Sequence, residues 1–124
     1  MERTINIDGK KVPFACSGDT VRRYRRTFRD ENGKPRDLLT DMPALVNAFQ
    51  NPPYDTSTLE IFENVAYIMA RQADPTIPMD PDEWLDQFGL FSIYEVMPQI
   101  VQLWVDSLAT AEEAKKNNQQ LKES

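Results

Sequence analysis

The opening stretch of the chain limits the fold most. Ile5 and Ile7 alternate with polar neighbours, Asp8-Gly9 supplies a turn that tolerates positive φ, and Val12 and Phe14 resume the alternation. This pattern predicts a β-hairpin over residues 3–15. Two strands alone are barely stable in water, so the apolar face of Ile5, Ile7, Val12 and Phe14 needs a cover. The rest of the chain reads almost wholly helical. The expected class is therefore mainly α (α+β), with the hairpin packed on a cluster of about five helices.

A first helix is expected over residues 20–29, opened by Asp19 or Thr20, with Val21, Tyr24 and Phe28 on its inner face. Residues 30–37 carry Asn-Gly and a proline and read as a surface loop. Leu38, Met42, Leu45 and Phe49 recur at helical spacing, and Pro43 fits best in a first turn, which places the second helix at 40–49 with Thr40 near its cap. Ser57 and Glu60 match a capping box at the head of a third helix over 57–73, whose stripe of Leu59, Phe62, Val65, Ala66 and Met69 marks it as central. Asp80 and Pro81 open a fourth helix over 81–88 that buries Trp84, Leu85 and Phe88. A second box, Ser92 to Glu95, with Phe91 stapled to Val96, opens a last helix over 92–108, kinked at Pro98. Residues 1–108 are thus expected to form one globular domain, and the polar stretch 109–124 a frayed helix or a disordered tail.

The net charge of -6 is unevenly spread. Residues 1–36 hold 10 Lys and Arg against 5 Asp and Glu, whereas residues 37–124 hold 4 against 15. The acidic larger part would repel a polyanion, which disfavours general nucleic-acid binding. No apolar run approaches the roughly 18 residues that span a bilayer, and the amino terminus has no secretion-signal pattern, so the expected location is the cytosol with no membrane partner. The one cysteine, Cys16, reads as a small buried hydrophobe.

Without histidine, the chain lacks the commonest general base and metal ligand, and one cysteine cannot build a thiolate metal site. The expectation is no enzyme, no catalytic residue, no metal and no cofactor. Asp80, Asp82, Glu83 and Asp86 are the remaining candidates for chemistry. An EF-hand fails there because Trp84 and Leu85 stand where an oxygen ligand and a glycine are needed, and an acidic first turn is sufficiently explained by the helix dipole.

The sharper local cluster is RRYRRTFR, which interleaves arginine and aromatic residues. Tyr24 and Phe28 share a face with Val21, so the arginines form either a solvated face or a binding surface built from Arg22, Arg25, Arg26 and Arg29. At the other end of the chain, Trp104 and Leu108 are either core residues or the apolar part of a partner site.

Four stretches in order, INIDGKKVPF, RRYRRTF, EIFENVAYIMARQADPTIP and PDEWLDQFGLFSIYEVMPQIVQLW, resemble the tail assembly chaperones of long-tailed phages and prophages of Gram-positive bacteria. The resemblance covers roughly residues 3 to 105. It implies a non-enzymatic role: coating the long tape measure protein, keeping it soluble and helping to recruit major tail tube protein, in the host cytoplasm and outside the mature virion, with self-association possible. Many relatives also make a longer frameshifted form, and Ala114-Lys115-Lys116 is where an A-rich slippery run would fall. The alternative is a small phage regulator that contacts nucleic acid or a transcription protein through the arginine helix.

Overall fold

The computed structural model describes residues 1–109. Strand β1 (Glu2–Ile7) pairs antiparallel with β2 (Lys10–Ala15), and Ile5 stands opposite Val12. Asp8 and Gly9 both take positive φ, 55° and 77°, the backbone that a two-residue hairpin turn demands. Ile5, Ile7 and Phe14 are buried, so one face of the hairpin does lie against a helical body. Among the described residues six helices follow: α1 (Gly18–Thr27), α2 (Leu38–Phe49), α3 (Thr56–Ala73), α4 (Pro81–Leu85), α5 (Ser92–Glu95), and α6, helical from residue 97 to 109. The α+β class expected from the sequence is what forms.

Helix α3 lies at the centre, packed on β2, α1 and α2 and touching α4. Its buried residues, Phe62, Val65 and the run from Tyr67 to Ala70 among them, include the expected apolar stripe except Leu59, which is half-buried, together with residues beside it. An aromatic chain carries the packing outward: Phe28 meets Tyr67 at 6.4 Å, Tyr67 meets Trp84 at 5.8 Å, and Trp84 meets Phe14 at 6.4 Å and Phe88 at 5.1 Å. Full burial of one such side chain contributes about 1.5–3 kcal/mol. Trp84 thereby joins hairpin, α3 and α4. Cys16 is buried, as a packing residue should be.

The helix starts differ from expectation, each for a local reason. α1 opens one turn earlier, at Ser17, because Thr20 turns back to accept from the Ser17 amide at 2.9 Å. Thr20 also donates to Gln72 Oε1 at 2.5 Å, and Gln72 Nε2 donates to Ser17 Oγ at 2.7 Å, which fixes this end of α1 to α3. α2 opens at Asp37, whose carboxylate accepts from the Leu39 amide at 3.1 Å, so Pro43 stands inside the helix and not in its first turn. Leu39, the residue whose carbonyl Pro43 leaves without a helical donor, is 60% exposed. α3 is capped by Asp55, accepting from Thr58 N at 2.8 Å, and not by Ser57. In α2 and α3 the cap is a carboxylate, a stronger acceptor for a helix amide than a hydroxyl, and in all three helices an upstream residue takes the cap.

Two further corrections fall near the carboxyl end. Helix α4 keeps its expected cap, Asp80 accepting from Asp82 N at 3.0 Å, but ends at Leu85. The single kinked helix expected over 92–108 is broken into α5 and α6 at Val96, just before Pro98. Ser92 does not cap α5: it is the first residue of the helix, Phe91 stands at the cap position, and the Ser92 hydroxyl donates to Asp8 Oδ1; Phe91 is 67% exposed, not stapled to Val96. The expected polar tail lies, from residue 110 on, outside the described residues, as does the Ala114-Lys115-Lys116 stretch.

One buried polar group is fully partnered. Asp41 accepts from Tyr24 Oη at 2.5 Å and from Arg36 Nε at 2.9 Å, joining α1, α2 and the loop between them. Burial, and then the hydrogen bond to Asp41, push the Tyr24 phenol far above its ordinary value.

Candidate partner-binding surfaces

Three surfaces present unusual side chains to solvent. The first is the outer face of α1, where Arg22, Arg23, Arg25 and Arg26 are all exposed while Tyr24 is buried beneath them. Arg23 pairs with Asp19 one turn back at 2.7 Å. Arg22, Arg25 and Arg26 make no ion pair within 4 Å among the described residues. Arg29 does not belong to this face. The helix ends at Thr27, Phe28 turns extended, and Arg29 bridges Pro35 while its guanidinium donates to the Gly33 carbonyl at 3.0 Å. The four-arginine helical face expected from the sequence is therefore split. The Asn-Gly loop folds back on the chain and draws Arg29 into it.

The second surface is the end of α6. Trp104 is only 8% exposed and belongs to the core, whereas Leu108 is 47% exposed. Val105 and Met1 are exposed too, and Ser107 Oγ approaches Met1 Sδ at 3.8 Å, so this end of α6 lies beside the amino terminus. Arg3 and Asp106 bind the two together at 2.8 Å. Hydrogen bonds from Gln102 and then Arg3 hold the Asp106 carboxyl below its usual range. Trp104 and Leu108, expected to act together, have different surroundings, and among the described residues no hydrogen bond or ion pair ties them to the arginine face.

The third surface has no counterpart among the sites expected from the sequence. Between α3, α4 and α5 lies a cleft of about 330 Å³, lined by Leu85, Phe88, Leu90 and Ile93 together with the acidic Glu63, Asp82 and Asp86. Leu90 is 81% exposed, and its neighbour Phe91 is exposed as well. Tyr94 Oη donates to Glu63 Oε1 at 2.6 Å, and this bond, with burial, pushes the Tyr94 phenol up to about 12. The loop behind the cleft is held by the hairpin turn: Asp8 accepts from Gly89 N at 2.7 Å and from Ser92 Oγ, and Lys10 lies 5.7 Å from the centre of the Phe88 ring. Those two hydrogen bonds hold the Asp8 carboxyl below its usual value.

Of the acidic residues weighed for chemistry, Asp80 is a helix cap and Asp82 and Asp86 face the cleft. Helical periodicity points Phe91 to a staple and gives Leu90 no place. The available signal is Leu90-Phe91 directly after Gly89, two large apolar residues at a helix junction with no stripe to join.

Among the described residues no helix is long and apolar enough to cross a membrane. No protein-family model, curated protein or solved structure matches the chain.

Proposed function

We propose that this chain is a protein-binding chaperone of phage tail assembly, one that covers apolar helical stretches of a tape measure protein, keeps that protein soluble and helps to bring tail tube subunits to it. The role needs surface and no reactive group, and it is carried out in the host cytoplasm by a protein absent from the finished particle. The resemblance of the four ordered segments supports this reading. The observation that carries it is the display of Met79, Leu90, Phe91, Val105 and Leu108 on a body whose other large apolar side chains are mostly packed away. Large apolar side chains held out by a folded body suit transient cover of an aggregation-prone helix.

The test is co-expression with the tape measure protein. We expect the client to move from the insoluble to the soluble fraction when this chain is present, and less of it to do so with Leu90→Ser/Phe91→Ser. Equal client solubility with and without the chain would overturn the reading.

A second reading, a regulator that contacts nucleic acid, draws on Arg22, Arg25 and Arg26, which have no ion-pair partner among the described residues. Phosphate contacts release counterions, so such binding would weaken steeply from low to moderate salt, whereas an apolar client contact would not.

A further inference from the structure

We propose that the cleft between α3, α4 and α5 is the seat of a cationic amphipathic helix of a partner protein. The inference rests on the chain being a protein-binding module, and it names the chemistry of what is bound. Two properties of the cleft coincide. Leu85, Phe88 and Leu90 offer apolar surface over the buried Ile93, and Glu63, Asp82 and Asp86 border the same space with carboxylates. The side chains of Asp82 and Asp86 accept no hydrogen bond and form no ion pair among the described residues.

The absence of a basic side chain holds for the sequence around the cleft as well as for its lining. Residues 72–114 contain nine Asp and Glu and no Lys or Arg, so the segment that supplies α4, α5 and α6 has no positive charge of its own. Lys10 meets the Phe88 ring and donates to the Gln87 carbonyl at 3.3 Å, but it does not line the cleft. A partner that pairs with Asp82 and Asp86 therefore brings the positive charge itself, alongside apolar side chains that cover Leu90.

No residue of β1 or β2 lines the cleft, so no strand edge there can pair with an extended peptide, and a helix with apolar side chains on one face and cationic ones beside them answers both parts of the lining. A second copy of this chain fits less well. Its cationic face on α1 carries no exposed large apolar residue, so it would answer the carboxylates and leave Leu90 and Phe91 bare.

The test uses the full chain and a synthetic 18-residue peptide of Leu and Lys, with Leu at positions i, i+3 and i+4 of successive turns. Calorimetric titration is run beside a peptide with Glu in place of Lys and one of the same composition with the apolar face scrambled. We expect binding of the first peptide only, and about tenfold weaker binding to Asp82→Asn/Asp86→Asn, the combined effect of losing two exposed ion pairs. Leu90→Ser should weaken it too. Glu2→Gln/Glu31→Gln, which removes the same charge elsewhere, should change it less than about twofold. Far-ultraviolet circular dichroism checks that each variant is folded.

Absence of binding, or equal weakening in the two charge-removing pairs, would overturn the proposal. So would sedimentation showing that the chain alone dimerises and that Asp82→Asn/Asp86→Asn abolishes the dimer, since the occupant would then be a second copy. The chaperone reading fails separately: a client that stays soluble with wild type and with Asp82→Asn/Asp86→Asn/Leu90→Ser removes the cleft and leaves the chaperone, whereas a client insoluble with wild type removes the chaperone.

Discussion

Helix α3 and the segment from α4 to α5 are both rich in large apolar residues, yet they use them oppositely. In α3 the run from Tyr67 to Ala70 is buried on every side, because hairpin, α1 and α2 enclose the helix. In the later segment Trp84 and Ile93 reach the core, while Leu90 and Phe91 stand in solvent, Leu90 in a cleft that three carboxylates share. Apolar content alone does not separate core from binding surface. What separates them is whether enough neighbouring elements exist to close over the side chain. The short α4 and α5 turns, joined by a loop held to the hairpin, leave one side open.

This contrast is open to direct tests. The largest effect is expected where the two regions meet: Phe62→Ala or Trp84→Ala should cost about 3–5 kcal/mol, read as a drop in the denaturation midpoint, because each empties a fully enclosed site. If Trp84→Ala cost no more than a surface change, the α4 segment would not be anchored to the α3 core at all.

Next is Asp41→Ala, which strands the buried Tyr24 hydroxyl and leaves Arg36 without its carboxylate. A loss of about 2–4 kcal/mol is expected, and Tyr24→Phe/Asp41→Asn should recover part of it by removing the stranded group.

A smaller, local effect is expected from acid. The folded-state value of Asp8 lies below its ordinary 3.8, so the stabilisation it contributes is complete above that value and is lost as pH falls through the lower folded one. The Gly89 amide resonance should move in that window. A Gly89 amide that titrates no differently in Asp8→Asn would show that the hairpin turn does not hold the cleft loop.

The smallest stability effect belongs to Leu90→Ser/Phe91→Ser. Both residues are exposed, so the midpoint should move by less than about 0.5 kcal/mol while client solubility falls. A large stability loss would mean that these side chains are packed in solution, and the contrast with α3 would disappear.

The hairpin, the central place of α3 and the buried faces of Tyr24 and Phe62 were all legible in the sequence, because period-two and helical spacing are local signals. Cap positions were less legible. Asp37, Asp55 and Ser17 each stand upstream of the cap expected from local motifs, and the choice among neighbouring acceptors depends on where the flanking chain turns. Of the expected binding residues, Arg22, Arg25 and Arg26 are exposed on one helix, as their spacing implies. Arg29 falls outside that helix, and Trp104 lies in the core.

By itself the sequence determined the class of fold, the sign and location of the charge, and the helix meant for the centre, since each follows from the order and spacing of neighbouring residues. Only the tertiary structure decided which apolar residues remain uncovered and which carboxylates stand beside them. That outcome depends on elements far apart in the chain, Asp8 in the hairpin holding Gly89 and Ser92 in place, and no local pattern records such a contact.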